Sequence, residues 1–200
     1  MQVPGSLWSK EKPADKQLVH NDDYLSGFRE ARQARPKSRQ TLGLTKGIVE
    51  YFSEVEAQET DGFVPDAETQ TRTHKYSTRA VYEGEWKGNA RHGKGKMTWR
   101  DGASYEGEWQ KNQACGKGTF SYANGDVYTG SWERNKANGF GEFWTADGSK
   151  YESQWEDDLQ HGHGVEKLSN GDTYEGEYKY GNKDGRGKLY IHAEGSVYDG

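Results

Sequence analysis

The chain has 200 residues, but Leu, Ile, Val and Phe together contribute only 25 of them, which excludes a conventional aliphatic core. The 7 Trp, 13 Tyr and 27 Gly indicate instead a fold that packs aromatic rings against glycine. The formal net charge of -5 gives the chain no electrostatic reason to bind nucleic acid, and no apolar run approaches the length of a membrane-spanning helix.

Composition divides the chain near residue 80. All 4 prolines precede residue 66, whereas most of the Gly, Trp and Tyr residues follow residue 80. We therefore predict an N-terminal extension at 1–79, loosely ordered or bound to a partner, and a separate domain at 80–200.

The predicted extension combines a basic stretch with two short helix patterns. Six bases accompany a single acid within 29–46, as is typical of solvated or partner-seeking chain. A first helix pattern lies at 21–35, and Ile48, Phe52 and Val55 have the spacing of a second; neither is long enough to be stable alone. We interpret 1–79 as a loose leader or as an arm that becomes ordered on a partner. The candidate partner-binding residues are Arg29, Arg32, Arg35, Lys37, Arg39, Ile48 and Phe52.

From residue 82 the sequence repeats every 23 residues, with a last step of 24. Each unit reads Tyr-x-Gly-x-Trp, a polar loop, Gly-x-Gly, a short apolar run and a turn centred on Gly. Because side chains alternate along a strand, Tyr, Gly and Trp share one face of a sheet, and the intervening residues, often Glu, share the other. A neighbouring ring over each bare glycine offsets the cost of glycine in a strand. The predicted packing residues of the repeat are Tyr82, Gly84, Trp86, Tyr105, Gly107, Trp109, Tyr128, Gly130, Trp132, Tyr151, Trp155, Tyr174, Gly176 and Tyr178.

A second recurring signal is a dipeptide that ends in glycine. Its members are Asp101-Gly102, Asn124-Gly125, Asp147-Gly148 and Asn170-Gly171. They predict two-residue type I′ hairpin turns, whose central residues both have positive φ. Two strands per unit then give about ten antiparallel strands in one meander, about 50 Å long at the usual strand spacing.

These units resemble the MORN repeat, and the resemblance covers 82–200. It implies an all-β fold, an elongated single-layer antiparallel β-meander of about five MORN repeats, preceded by an irregular or partly helical N-terminal extension. Three residues depart from the pattern: Ser153 stands at a glycine position, Tyr178 at a Trp position and Glu166 in an apolar run. We therefore expect uneven packing around 151–168.

Motifs for catalysis or ligand binding are weak in this sequence. The segment 88–94 matches the start of a phosphate-binding loop, but Gly95 follows where Ser or Thr would hold Mg²⁺. The residue before each Gly-x-Gly varies among His, Cys, Asn and Asp, yet successive units lie about 9.5 Å apart, too far to share a metal ion. The recurring Glu residues are interpreted as a solvated face or, alternatively, as an acidic surface that receives a basic partner. We therefore predict no catalytic, metal or cofactor-binding residues.

The sequence favours a non-enzymatic structural scaffold or assembly subunit, a rigid rod that mediates protein–protein contacts. The resemblance implies settings such as ciliary radial-spoke proteins, basal-complex scaffolds and junctophilins at membrane contacts. One cysteine and the lack of an apolar leader favour a cytoplasmic, cytoskeletal protein, and we expect the cilium or flagellum axoneme. The alternatives are a phospholipid-binding membrane adaptor and a regulatory subunit of a larger enzyme complex. Since 80–200 carries 15 basic and 20 acidic residues, membrane lipid would be bound by 29–46.

The C-terminal edge of the array is a further candidate contact. Residues 197–200 open a sixth unit and stop before its Trp position. A meander that ends in mid-strand exposes unpaired backbone groups. We expect either that the chain continues in a longer protein or that this edge self-associates by strand addition.

Overall fold

The computed structural model describes residues 45–56 and 62–200. These residues form one helix, α1 (Thr45–Glu56), and a sheet of twelve strands that pair antiparallel in the order of the chain. The strands are β1 Thr69–Lys75, β2 Val81–Lys87, β3 Ala90–Thr98, β4 Ser104–Gln110, β5 Gln113–Ser121, β6 Val127–Glu133, β7 Lys136–Trp144, β8 Lys150–Glu156, β9 Leu159–Lys167, β10 Thr173–Lys179, β11 Asn182–Ile191 and β12 Ser196–Asp199. The predicted all-β antiparallel meander is confirmed. Helix and sheet belong to one compact unit, 39–200.

Hairpin turns do occur at the Asp-Gly and Asn-Gly sites, but their predicted type is wrong. Gly102 N donates to Trp99 O at 3.1 Å and Trp99 N donates to Ala103 O at 2.9 Å, which closes a loop of three residues. Within that loop only Gly102 has positive φ, at 93°. The geometry is a type I turn followed by a glycine bulge. The same turn recurs at Gly125, Gly148 and Gly171.

Two-residue type I′ turns lie at the opposite ends of the hairpins, where the sequence indicates only a polar loop. Lys111 and Asn112 join β4 to β5 with φ values of 50° and 69°. Both residues are also in the left-handed region at Arg134-Asn135, Asp157-Asp158 and Tyr180-Gly181. Asn and Asp tolerate this region because their short side chains hydrogen-bond locally. In three of these turns the signal was an Asn or Asp in the second position, without the glycine that marks such turns most clearly, and only Tyr180-Gly181 has that glycine.

The sheet begins before residue 80, where the composition changes. Its first strand, β1, corresponds to one strand of a repeat unit but contains no glycine. β1 pairs with β2 as β3 pairs with β4, so Arg72 takes the place that Gly95 has in the first full unit. The Arg72 guanidinium lies 4.2 Å from the centroid of the Trp86 ring. In the next unit the equivalent ring, Trp109, is instead contacted by the ring of Tyr82. The turn after β1 also matches, since Arg79, with φ of 73°, donates its N–H to Tyr76 O at 2.9 Å. A charged side chain thus covers the first Trp of the array, as expected of a capping unit.

Candidate functional site: the two faces of the sheet

The aromatic residues predicted to pack the repeat lie on one face of the sheet, which we call the ring face. Each of these ten side chains is at most 5% exposed. The glycines of the predicted set lie between the rings on the same strands. The ring face comprises Tyr82, Gly84, Trp86, Tyr105, Gly107, Trp109, Tyr128, Gly130, Trp132, Tyr151, Trp155, Tyr174, Gly176 and Tyr178.

Tyrosine rings lie over pairs of glycines on this face. In the first unit Gly84 and Gly95 are paired across β2 and β3, and the Tyr82 hydroxyl donates to Glu85 O at 3.0 Å. A Cβ atom on Gly95 would lie 2.2 Å from the Tyr82 hydroxyl oxygen, so only glycine leaves room for the ring. The equivalent hydroxyl bonds are made by Tyr105, Tyr128 and Tyr174.

Trp side chains connect the second, third and fourth units to the unit before each of them. Trp109 Nε1 donates to Gly95 O of the preceding unit at 3.1 Å. The Trp109 ring meets Tyr82 of that unit edge to face at 5.3 Å, and Tyr105 of its own unit at 5.1 Å. The same indole bond recurs at Trp132 and Trp155. Successive units are therefore joined by ring contacts as well as by backbone pairing.

The fourth unit packs differently because Ser153 stands at its first glycine position. The Ser153 hydroxyl accepts a hydrogen bond from Gln160 Nε2 at 3.0 Å. Glu166 is 2% exposed and forms an ion pair with Lys183 Nζ at 2.8 Å. Lys183 Nζ also lies 4.0 Å from the centroid of the Tyr174 ring. Polar side chains thus fill the region where the sequence predicts uneven packing.

Helix α1 packs on the ring face of the first three units. Ile48, Phe52 and Val55 are 0%, 2% and 0% exposed. The Phe52 ring meets the rings of Trp109 and Trp132 edge to face at 5.9 and 6.2 Å. This contact supplies the tertiary packing that a helix of this length needs.

The second and third units, beneath α1, carry small residues at one ring-face position. Ala114 and Ala137 are fully buried there, whereas the equivalent residues of the other units are Arg91, Gln160 and Lys183. The helix is also tied to the turn of the first unit, because Trp99 Nε1 donates to the backbone oxygen of Tyr51 at 2.8 Å and the Tyr51 hydroxyl bonds to Asp101. Small side chains therefore leave space where the helix lies.

The sequence assigns Ile48 and Phe52 to partner binding, whereas the structure buries them in the core of the same chain. The physical reason is that the ring face is itself a large apolar surface within reach of α1. The other candidate partner-binding residues lie outside the described residues, as does the helix pattern at 21–35. They are Arg29, Arg32, Arg35, Lys37 and Arg39.

Side chains of the two-residue turns bond to the preceding unit. Asn135 Oδ1 accepts from Ala114 N at 2.7 Å, and Asp158 Oδ1 accepts from Ala137 N at 2.6 Å. Asp158 is fully buried, and its second carboxyl oxygen has no hydrogen-bond partner among the described residues. Burial raises the pKa of Asp158 to about 6, although the hydrogen bond from Ala137 N opposes the shift. At this turn position the fourth unit thus has an ionisable hydrogen-bond acceptor, Asp158, whereas the third unit has a neutral one, Asn135.

The opposite face, which we call the outer face, carries the residues between the ring positions. Lys96 Nζ lies 3.4 Å from a carboxylate oxygen of Glu106 on the next strand. Lys150 Nζ lies 3.2 Å from Glu142 and 2.7 Å from Glu152, and its hydrogen bond holds the pKa of Glu152 below its usual range. Exposed pairs of this kind add little stability. They leave charges of both signs on a rigid surface.

One set of outer-face acids has a structural role that the sequence analysis missed. Glu108 Oε1 accepts a hydrogen bond from Lys117 N at 3.1 Å, beside Gly116, whose φ is 58°. Glu85 and Glu177 make the equivalent bond in the first and fifth units. The signal was the Glu directly before the Trp position in these three units, nine residues ahead of the N–H that it binds. These acids help to hold a strand irregularity in addition to facing solvent.

Few groups among the described residues are suited to catalysis or to metal binding. Burial, and after it the Glu108 carboxylate, raises the pKa of the Cys115 thiol, which disfavours a reactive thiolate. Within 45–56 and 62–200, no group of three His, Cys, Asp or Glu side chains is placed to hold a metal ion. In the same ranges no helix has the length and apolar character needed to cross a lipid bilayer. The surfaces of the sheet are therefore the candidate functional features.

Comparison with protein families identifies the repeat. The MORN repeat model matches 82–104, 105–127, 128–150, 151–173 and 174–191. These matches cover more than half of the chain, which therefore belongs to the MORN-repeat family. MORN repeats fit a scaffold for protein interaction or membrane binding, and proteins that contain them are generally structural or binding proteins.

Other comparisons are less informative. No curated protein matches the chain significantly. One solved structure that does match is the SAS-4 (dCPAP) TCP domain in complex with a proline-rich motif of Ana2 (dSTIL) of Drosophila melanogaster. It is 11% identical, with a TM-score of 0.37, over 71% of this chain and 94% of that one. A likeness at this level carries no argument about function.

Proposed function

We propose that this chain is a non-enzymatic structural scaffold, an assembly subunit whose MORN array mediates protein–protein contacts in a cytoskeletal complex of the cilium or flagellum axoneme. The observation that carries the proposal is the contrast between the two faces of the sheet. Helix α1 covers part of the ring face, and its apolar side chains are fully engaged there. The outer face is exposed and carries charges of both signs.

The charge pattern of the outer face supports a protein partner over an anionic membrane. Glu83 and Glu106 flank Lys96 in the cross-strand register, so an approaching phosphate layer would meet acids on both sides of this base. The surplus of 20 acids over 15 bases in 80–200 adds a repulsive background. Alternating charges on a rigid sheet instead fix the register and orientation of a protein surface of complementary charge.

The ring face supports a structural role. The first four units are connected by indole hydrogen bonds and by edge-to-face ring contacts, and strand pairing continues through all five. Because the strand pairing recurs at every step, the sheet holds outer-face side chains at regular intervals of about 9.5 Å per unit. A surface of this kind suits a protein that sets distances in an assembly.

Crosslinking of the full-length chain in ciliated cells tests the proposal. We expect crosslinks from the outer-face amines of Lys94, Lys96 and Lys117 to proteins of the cytoskeleton. When Lys94 and Lys96 are both changed to Glu, the crosslinks from the unchanged amine of Lys117 should be lost as well. A matched control exchanges the charges of one pair, Lys96→Glu with Glu106→Lys, which keeps the net charge and the ion pair. Its melting midpoint should stay unchanged.

The same protein is then sedimented with vesicles that contain phosphoinositides. Strong sedimentation combined with an absence of outer-face crosslinks would contradict the scaffold proposal and favour the membrane adaptor. Crosslinks to proteins of another compartment would contradict the proposed location but leave the scaffold role standing.

A further inference from the structure

Strand β7 breaks the polar pattern of the outer face at two positions. Phe140 and Trp144 point to the same side as Glu142, which lies between them, and they are 57% and 44% exposed. Polar or charged residues occupy most of the equivalent positions in the other units. These are Lys94, Lys117, His163 and Arg186 for Phe140, and Thr98, Ser121, Lys167 and Tyr190 for Trp144. Since the repeat packs with polar residues at these places, packing within the chain does not explain the two rings.

The Trp144 ring is held in place by its neighbours. Its Nε1 donates to Glu142 Oε2 at 3.2 Å, and Lys150 Nζ lies 4.8 Å from the ring centroid. Lys150 is in turn paired with Glu142 at 3.2 Å. A side chain that is already ordered loses little conformational entropy when a partner binds. An exposed and preorganised Trp is typical of the residues that dominate binding energy at interfaces.

Phe140 borders a shallow depression of about 410 Å³, which is also lined by Lys117, Gly118 and Thr129. Phe140 and Trp144 are four residues apart on an extended strand, so their side chains stand about 13 Å apart. The two rings therefore present separate anchor points rather than one continuous apolar patch.

The size of the apolar surface argues against a second copy of this chain as the occupant. A Phe or Trp side chain contributes 150–250 Å² when buried, so the exposed fractions of these two rings leave on the order of 200 Å². A stable protein interface buries about 800 Å² on each partner. Two anchors of this size suit a short protein segment. A membrane is disfavoured because the two rings are separated by Glu142 and form no continuous apolar face that could enter a lipid layer.

The charges around the rings indicate the chemistry of that segment. Lys150 is already engaged with Glu142 and Glu152. Lys117 Nζ contacts Ser131 Oγ at 2.8 Å, and within the described part of the chain neither Lys117 nor Lys167 has an ion-pair partner. One of these lysines lies on the Phe140 side and the other on the Trp144 side, two strands from β7 in opposite directions. Across the described ranges neither cation is held in an ion pair, although Lys167 lies close enough to Glu152 to help lower the pKa of that carboxyl. Both lysines can therefore pair with acidic residues that flank apolar ones.

We propose that Phe140 and Trp144 form a docking site for an acidic protein segment that carries two apolar side chains about 13 Å apart, a separation that follows from strand geometry. Its acids pair with Lys117 and Lys167. This inference rests on the proposed scaffold function and deepens it, because it assigns one class of partner to one place on the outer face.

A displayed library of random twelve-residue peptides, selected on the full-length chain, tests the site. The counter-selection uses the double variant Phe140→Lys with Trp144→Thr, which gives β7 the outer-face residues that β3 has at Lys94 and Thr98. We expect the surviving peptides to be acidic and to carry two spaced apolar residues. The affinity of the strongest peptide should fall at least tenfold in the double variant, whose melting midpoint should not fall.

A second variant, Lys117→Gln with Lys167→Gln, should weaken the same peptide three- to tenfold at low salt and reduce the salt dependence of binding. Survival of basic peptides, or of no peptide that distinguishes the double variant, would overturn the proposal. A dimer in light scattering that the double variant abolishes would also overturn it, in favour of self-contact. If the site fails in these ways while the outer-face crosslinks to cytoskeletal proteins persist, the scaffold function stands without it.

Discussion

Changing Asp158 to Asn should stabilise the protein above neutral pH and have little effect in acid. Asp158 is buried, and its pKa of about 6 exceeds the ordinary value of 3.8. The folded protein therefore binds this proton more tightly than the unfolded chain does, so the wild type loses stability as the pH rises from about 4 to about 6. A shift of this size corresponds to at most about 3 kcal/mol, at 1.36 kcal/mol per pKa unit. Asn keeps the acceptor for Ala137 N, as Asn135 does for Ala114 N.

Thermal melts of both proteins at pH 4.5 and pH 8 measure this effect. The difference between the midpoints should be near zero in acid and about 4–10 °C in favour of the variant at pH 8. The matched control is Asn135→Asp, which introduces the same charge one unit earlier and should lower the midpoint at pH 8 but not at pH 4.5. An Asp158→Asn variant that has the same effect at both pH values, or that lowers stability at pH 8, would refute the account of a charge held in a buried acceptor position.

Three further predictions concern packing. Trp109→Ala should cost about 3–5 kcal/mol in denaturant unfolding. Glu108→Gln should change stability by less than about 0.5 kcal/mol, because the amide oxygen can still accept the hydrogen bond from Lys117 N. Equal midpoints for the two variants would contradict the assignment of faces. Gly95→Ala should destabilise more than Gly102→Ala in thermal melts. An added Cβ on Gly95 would meet the tyrosine hydroxyl at 2.2 Å, whereas on Gly102 it would meet nothing within 4 Å and the cost is that of Ala at a φ of 93°. The reverse order would argue against the ring-over-glycine geometry. Phe52→Ala should cost about 3–5 kcal/mol and lower the helical circular dichroism signal, and an unchanged melt would show that α1 does not stabilise the sheet.

The ring face was predictable because one physical requirement repeats five times. Tyr-x-Gly-x-Trp places its three residues on one side of a strand, and the period supplies the neighbouring ring. The turns were predictable in place but not in type. Gly102 can serve either as the second residue of a type I′ turn or as the bulge residue after a type I turn, and the dipeptide alone does not separate the two.

β1 was not predictable from the repeat, because this strand at the end of the array lacks the glycines by which a repeat unit is recognised. Glycine is required where a tyrosine ring lies over the strand, and at Arg72 the side chain itself covers Trp86. The remaining signal is weak: Tyr76, Arg79 and Ala80 stand one period before Trp99, Gly102 and Ala103. The sequence likewise shows that Phe52 lies on the apolar side of a helix, but it does not show which surface receives that side.

Residues that differ from the repeat pattern fall into two groups, those explained by neighbours within the chain and those that are not. Arg91 and Gln160 depart from alanine at fully buried positions, where neighbouring groups within the chain account for them. Phe140 and Trp144 differ from the repeat at exposed positions, and the four other units carry other residues there. The units of an array all pack against the same kind of neighbour. Packing between units therefore does not explain why one unit carries different residues on its exposed face. A single exposed ring would be unremarkable, but two on one strand, one of them fixed by Glu142 and Lys150, mark a place along the outer face that is unlike the rest. The regular repeat builds the surface, and this irregularity gives a partner one position on it to recognise.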